Sequence, residues 1–320
     1  MVFLLAWVVR ADKVFNVRAF GAVANNKADC SKAFLNAWKE ACAWNGISTV
    51  LVPKGTYLVG KPTEFIGPCK GFMNFRLEGV LKAPTSLSGF ADTWLKFGYL
   101  DGLMVNGGGT LDGQGRSAWQ PCTPKCKILP ANLRFDFVKN AKVEQIHSVD
   151  SKNIHINLYG CQNMNLSSLT IVAPGDSINT DGIHTGDSTF IYIEHSKIGT
   201  GDDCISFSTG SKNIYVTDII CGPGHGISIG SLGATHDEDS VTGLIIKDST
   251  FFGTDNGVRI KTWASSVDNF VQNITFLHLS MNNVRNPIII DQEYCPAKNC
   301  DNKSPSRVQI KDGPLLPRLR

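Results

Sequence analysis

Hydrophobic positions follow two different rules along this chain. From Ser31 to Trp44, the residues Phe34, Ala37, Trp38, Ala41 and Cys42 recur at three- and four-residue steps. That spacing predicts a helix with one apolar face, and Ser31 stands where an N-cap belongs. No long helical period follows it. Short β-branched runs alternate instead with clusters of Gly, Asn, Asp and Ser, the punctuation of short strands and turns. Several runs resemble one another: Lys152-Asn153-Ile154-His155-Ile156, Gln162-Asn163-Met164-Asn165-Leu166, Lys212-Asn213-Ile214-Tyr215-Val216 and Gln272-Asn273-Ile274-Thr275-Phe276. A second series, Asp181-Gly182-Ile183-His184, Asp203-Cys204-Ile205-Ser206 and His225-Gly226-Ile227-Ser228, repeats at a step of 22 residues. Asn256-Gly257-Val258-Arg259 and Asn286-Pro287-Ile288-Ile289 continue it after longer intervals. A short repeat with several strands per turn predicts an all-β solenoid, a right-handed parallel β-helix with the helix capping its N-terminal end. An antiparallel sandwich shares the short strands but predicts no fixed step.

The repeat places chemistry. Equivalent residues on successive coils lie on neighbouring strands, about 4.8 Å apart. Asp181, Asp203 and His225 then form one row, with Asp202 beside it, and alternation brings Arg259 and Lys261 to the same face on a later coil. Three crowded carboxylates repel, so at least one is expected to keep its proton near neutral pH. One protonated acid and one carboxylate that activates water are what glycosidic cleavage requires, and an adjacent Arg/Lys pair suits an acidic sugar. Taken singly, each of these residues reads as well as a turn residue.

Composition narrows the setting. The chain has 320 residues, 42% of them apolar and 18% charged, with 31 glycines and 14 prolines, so a large core with many turns is expected. A net charge of +3 without a basic stripe argues against a nucleic-acid partner. Ten cysteines outside paired CxxC units favour disulfides and an oxidising compartment over a zinc site. Cys122 with Cys126, Cys204 with Cys221, and Cys295 with Cys300 are the close pairs, and Cys42 with Cys69 is expected as a fourth bridge. Cys30 and Cys161 are expected as free core thiols. Residues 1–12 read as a signal-peptide remnant or as an apolar first strand. No stretch reaches the ~20 apolar residues of a membrane span. Asn165, Asn273 and Asn302 open sequons that fit secretion.

Four ordered signatures carry a resemblance: Asn179-Thr180-Asp181, Gly201-Asp202-Asp203, Gly224-His225-Gly226 and Arg259-Ile260-Lys261, followed by Tyr294. Together they resemble the polygalacturonases, glycoside hydrolase family 28. The similarity runs from about Val14 to Ile310. Phe34-Leu35-Asn36-Ala37-Trp38-Lys39-Glu40-Ala41-Cys42 and Asp112-Gly113-Gln114-Gly115 are similar to the pollen-type plant exopolygalacturonases in particular. The resemblance implies a monomeric, secreted cell-wall hydrolase of polygalacturonate and pectin that needs no cofactor or metal. It implies inversion, with Asp202 as proton donor and Asp181 and Asp203 activating water. His225 would tune the acid or orient substrate. Asn179, Arg259, Lys261 and Tyr294 would bind the sugar. Carboxylates nearer than about 6 Å usually accompany retention, so the row spacing and the implied inversion pull apart.

The ends depart from the family pattern. The resemblance implies more coils after Tyr294, and residues 311–320 resemble nothing in it, so residues 13–310 are expected to form one β-helix without a C-terminal cap. Three alternatives stay open from sequence: endo rather than exo attack, an inactive wall-binding protein of the same fold, and a calcium-dependent pectate lyase. The loops from Trp119 to Asn132 and from Leu232 to Ser240 are the expected walls of a groove closed for exo attack.

Overall fold

The computed structural model describes residues 12–119, 129–264, 266–296, 300 and 304–311. Every strand pair in it is parallel, and strands partner the next coil rather than their sequence neighbour. The chain is therefore a parallel β-helix, and the sandwich is excluded. One face is a nine-stranded sheet that runs from Thr63–Ile66 to Asn286–Tyr294. Two further ladders make the other faces. The long strands Thr189–Gly199 and Lys212–Cys221 pass through both ladders and fuse them into one 19-stranded sheet.

The 22-residue series is in register, with Ile183 opposite Ile205 and Ile205 opposite Ile227, then Val258 and Ile288 beyond. These side chains point inward. Nearer the N-terminus the next interior row, two residues further along each strand, is aromatic: Phe65 stacks on Phe97 at 4.9 Å and Phe97 on Phe135 at 5.6 Å. All three rings are fully buried. A fully buried ring of this size is worth about 1.5–3 kcal/mol, so the stack anchors the coils that precede the acids.

The helix spans Ser31–Cys42 and buries Phe34, Ala37, Trp38 and Ala41 against the first coils, as its period predicts. Its start differs from expectation. Cys30 is the N-cap residue and makes no side-chain cap bond, and Ser31 lies inside the helix. The Asp29 carboxylate takes that role instead, accepting from the Ser31 amide at 3.0 Å and the Gly60 amide at 2.8 Å. An acid at a helix start also opposes the helix dipole favourably. A 3-10 turn at Val17–Phe20 and a four-residue helix at Arg116–Trp119 accompany it.

The Asn-containing runs prove to be two things. Asn163, Asn213 and Asn273 lie in strands of one ladder with φ of 54°, 53° and 56°, a left-handed corner that asparagine tolerates. Their missing member is Asn140, at φ 51° and one coil before Asn163. Lys152 to His155 lies in a turn before the strand Ile156–Tyr159 on another face, so its likeness to the series is coincidental.

Three expected disulfides form: Cys42–Cys69, Cys204–Cys221 and Cys295–Cys300. Cys204 and Cys221 are 17 residues apart, and Cys221 lies opposite Ile198 on the adjoining turn, so this bridge sits directly behind the acid pair. Cys30 and Cys161 are free and buried. The Cys122–Cys126 pair, the apolar start and the tail after Lys311 lie outside the described residues. No helix among the described residues is long and apolar enough to cross a membrane.

Candidate active site

The acids stand at the entry to strands of the nine-stranded sheet, where glycines let the backbone pass closely. A Cβ on Gly201 would sit 2.0 Å from the Ser177 carbonyl oxygen, and one on Gly226 2.1 Å from that of Asn256. Gly226 also takes φ 87°, so both positions in Gly201-Asp202-Asp203 and Gly224-His225-Gly226 need glycine.

Two adjacent rows make the site. The first is Asp181, Asp203 and His225; the second, three residues further along each strand, is His184, Ser206, Ser228 and Arg259, paired in that order on the outer surface. One contact repeats between them. The Asp181 Oδ2 accepts a 2.7 Å hydrogen bond from the Ser206 hydroxyl, and the Asp203 Oδ1 accepts one of 2.7 Å from Ser228. Similar sequence on successive coils has produced the same bond twice.

Charge then separates the two acids. Arg259 Nη2 donates to Asp203 Oδ1 at 3.0 Å and Lys261 Nζ to Oδ2 at 2.9 Å, so Asp203, 1% exposed, is held between two cations. Asp181 stands farther up the helix from that pair. Burial, followed by repulsion from Asp202 and Asp203, pushes its carboxyl up to about 8. Burial acts the same way on Asp202, but the His225 hydrogen bond and charge, with the Asp203 amide and Lys261, outweigh it and bring Asp202 below its ordinary value. The Asp202 Oδ1 lies 3.0 Å from His225 Nδ1, and that bond raises His225 despite its burial. One carboxyl does hold a raised pKa, as the crowding predicts. In the free protein it is Asp181, not the Asp202 to which the resemblance gives the proton.

Sequence reasoning singled out no role for Ser206, Ser228 or His184. Their signal was their shared place three residues after each member of the acid row. His184 Nδ1 lies 2.7 Å from the Ser206 hydroxyl, and burial pushes its ring down to about 4, so it is neutral there. Asp255 also approaches His225 Nε2, at 3.7 Å. Tyr294 joins the site: its ring lies 5.4 Å from Lys261 Nζ and 5.4 Å from the Trp263 ring. Asn179 is exposed, in left-handed backbone at φ 54°, and makes no hydrogen bond to the acids. The neighbouring Thr180 hydroxyl accepts from the Gly201 amide at 3.0 Å, which ties that loop to the acid pair.

Asp202, Asp203 and His225 bring donor atoms within 4.8 Å of one another, the one group among the described residues spaced to hold a metal ion. Arg259 and Lys261 place two positive charges against the same carboxylate, which disfavours a cation there.

Residues 42–314 match the profile of Glycosyl hydrolases family 28. The chain belongs to that family. Family 28 enzymes are glycoside hydrolases, and so is this protein. It is 50% identical over 311 residues to an exopolygalacturonase of Platanus acerifolia, covering 95% of this chain and 82% of the relative. A polygalacturonase of Gossypium barbadense is 46% identical over 98% of this chain and 78% of its own. Among solved structures, the endo-xylogalacturonan hydrolase of Aspergillus tubingensis superposes with a TM-score of 0.81 at 24% identity, over 94% of this chain and 84% of that one. The polygalacturonase of Erwinia carotovora gives 0.76 at 19% identity over 97% of both chains. The two structures establish the shared fold. In this family 28 chain all three acids and both cations of the ordered signatures meet at one surface site.

Proposed function

We propose that this protein hydrolyses the α-1,4-galacturonosyl bonds of polygalacturonate and pectin in the cell wall, as a secreted monomer. The observation that carries the reading is the grip of Arg259 and Lys261 on Asp203, beside two further carboxylates. A galacturonate carboxylate presents the same chemistry as Asp203 and can recruit donors of these side chains, with arginine offering five. The names of the plant relatives point to the same polymer. Asp202 gives its proton to the glycosidic oxygen and water attacks the anomeric carbon, its own proton passing by way of the neutral Asp181 carboxyl to the carboxylate of Asp203. Inversion follows because Asp203 has both oxygens engaged by Ser228, Arg259 and Lys261, which leaves it able to take a proton but poorly placed as a nucleophile.

Substrate charge tests recognition. Methyl-esterified pectin is expected to be cleaved roughly ten- to a hundredfold more slowly than the free acid, the size of one charge-assisted contact. Replacing Arg259 or Lys261 is expected to erase most of that preference. Equal rates on the two polymers in the unmodified protein would remove the carboxylate from recognition.

Exo attack is proposed for the mode, supported by the exopolygalacturonase names among the relatives. The Leu232–Ser240 loop is held in shape by Glu238, which accepts from the amides of Gly233, Ala234 and Thr235 at 2.6–3.1 Å, as a wall requires. The middle of the Trp119–Asn132 loop lies outside the described residues. Viscometry against reducing-end release decides the mode. Slow viscosity loss is expected; a rapid drop at low sugar release means internal cuts.

A further inference from the structure

One exposed feature on the catalytic face has no part in the chemistry above. Tyr99, Phe137 and Tyr159, respectively 57%, 42% and 40% exposed, form a continuous aromatic column on coils that precede the acids. Tyr99 stacks on Phe137 at 5.3 Å, and Phe137 meets Tyr159 edge-on at 5.5 Å. Tyr99 and Phe137 occupy a corner at φ 56° and 54°, a left-handed conformation that bulky side chains avoid. At the same corner on the following coils the chain uses Gly160, Asp187 and Gly210, at φ 63°, 48° and 71°. The backbone alone favours small residues at this corner, so turn geometry does not account for the aromatics.

Register connects this column to the site. Tyr159 lies opposite Gly186, Gly186 is beside Ser208, and on the later coils Gly230 lies against the backbone of Lys261, where the register shifts. Glycine and serine thus lie between two posts that each pair a cation with a tyrosine. At one end Lys261 Nζ lies 5.4 Å from the Tyr294 ring, and at the other the Arg134 guanidinium lies 5.9 Å from the Tyr159 ring. The posts are four strand steps apart, roughly 19 Å. Arg134 donates through Nε to Asp136 at 2.6 Å and through Nη1 to Asp92 at 2.7 Å, and its fork has further donors to offer.

We propose that Tyr159 and Arg134 form a distal subsite for the acidic polymer, where the tyrosine ring stacks on a pyranose face and the guanidinium attracts that sugar's carboxylate. The inference rests on the polygalacturonate reading and extends it to a stretch several sugars long. The subsite acts on binding and not on the chemical step, so its contribution grows with substrate length.

Kinetics on a graded series of oligogalacturonates test it. Tyr159→Ala is expected to lower kcat/KM on long oligomers about tenfold more than on the dimer, mainly through KM, the size that a ~1.4 kcal/mol contact gives. Tyr159→Phe is expected to restore most of the loss, because stacking uses the ring and not the hydroxyl. Arg134→Gln should show the same length dependence, reduced on methyl-esterified oligomers. A loss that is equal at every length, or absent in Tyr159→Ala, overturns the subsite. Failure of the unmodified protein to cleave any oligomer overturns the polygalacturonate reading itself, which keeps the two outcomes apart.

Discussion

Asp202→Asn is expected to lose about 10²- to 10⁴-fold in turnover while still binding oligogalacturonate, the range that general acid catalysis supplies. The amide keeps the shape of the carboxyl and still accepts from His225 Nδ1, but it has no proton to give. Where that proton resides in the free protein follows from the geometry. Asp202 is drawn below its ordinary value and His225 is raised, chiefly by their shared hydrogen bond, so the two titrate as a pair whose proton rests on the imidazole. Transfer to the glycosidic oxygen draws that proton through Asp202. The wild-type rate is therefore expected to hold at acid pH and to fall as pH rises through the raised His225 value, above the ordinary 6.5. Reducing-end release across pH, together with calorimetric binding to the variant, checks both parts. More than a tenth of the wild-type rate in Asp202→Asn removes this residue from the donor role.

The fold was legible because a solenoid writes its geometry into the sequence as a step length. The 22-residue interval from Asp181 to Asp203 to His225 is the coil itself, and the inward Ile183, Ile205 and Ile227 line up as that interval predicts. Local likeness without the interval misled. Lys152-Asn153-Ile154 looks like Gln162-Asn163-Met164, yet only ten residues separate them, too few for a coil, and the true partner of Asn163 is Asn140. The helix was legible from its period, but its cap was not, because Asp29 and Ser31 are both capping residue types and only tertiary contact with the Gly60 amide chooses between them.

The site was legible as a cluster and less so as a charge distribution. Motif order named the acids and the two cations, and the structure brings them together. Which acid keeps a proton depends on distances across coils that no tripeptide carries. Asp181 and Asp203 have the same serine bond, but Arg259 and Lys261 make their ion pairs with Asp203, and Asp181 is left with its burial and the repulsion of its neighbours. The serines themselves were hidden because a single hydroxyl on a strand is common; only their repeated place after each acid marks them.

That asymmetry makes the acid row a site of stored instability, and Asp181→Asn is expected to raise stability while lowering turnover about a hundredfold. The folded protein holds the Asp181 proton up to about 8, whereas the unfolded chain releases it near the ordinary 3.8. Between those values the folded state binds the extra proton, so stability falls as pH rises through the window, and the whole penalty is present above it. Below the unfolded value both states are protonated and there is no penalty. Asparagine carries no charge to bury and its amide oxygen still accepts from Ser206, so the variant escapes the penalty. A tenfold difference in proton affinity between the two states is worth ~1.36 kcal/mol, which puts the gain near pH 8 on the order of a few kcal/mol, moderated by coupling to Asp202 and Asp203. Thermal unfolding should show a higher midpoint for the variant at pH 7.5, by several degrees, and coincident midpoints near pH 3.5. Equal midpoints at pH 7.5, or a gain of the same size at both pH values, would show that Asp181 is not held neutral by its burial and its neighbours. Turnover falls because the neutral Asp181 carboxyl can accept a proton from water at one oxygen while releasing its own from the other toward Asp203, and an amide cannot, so stability and activity are expected to move in opposite directions at this one residue.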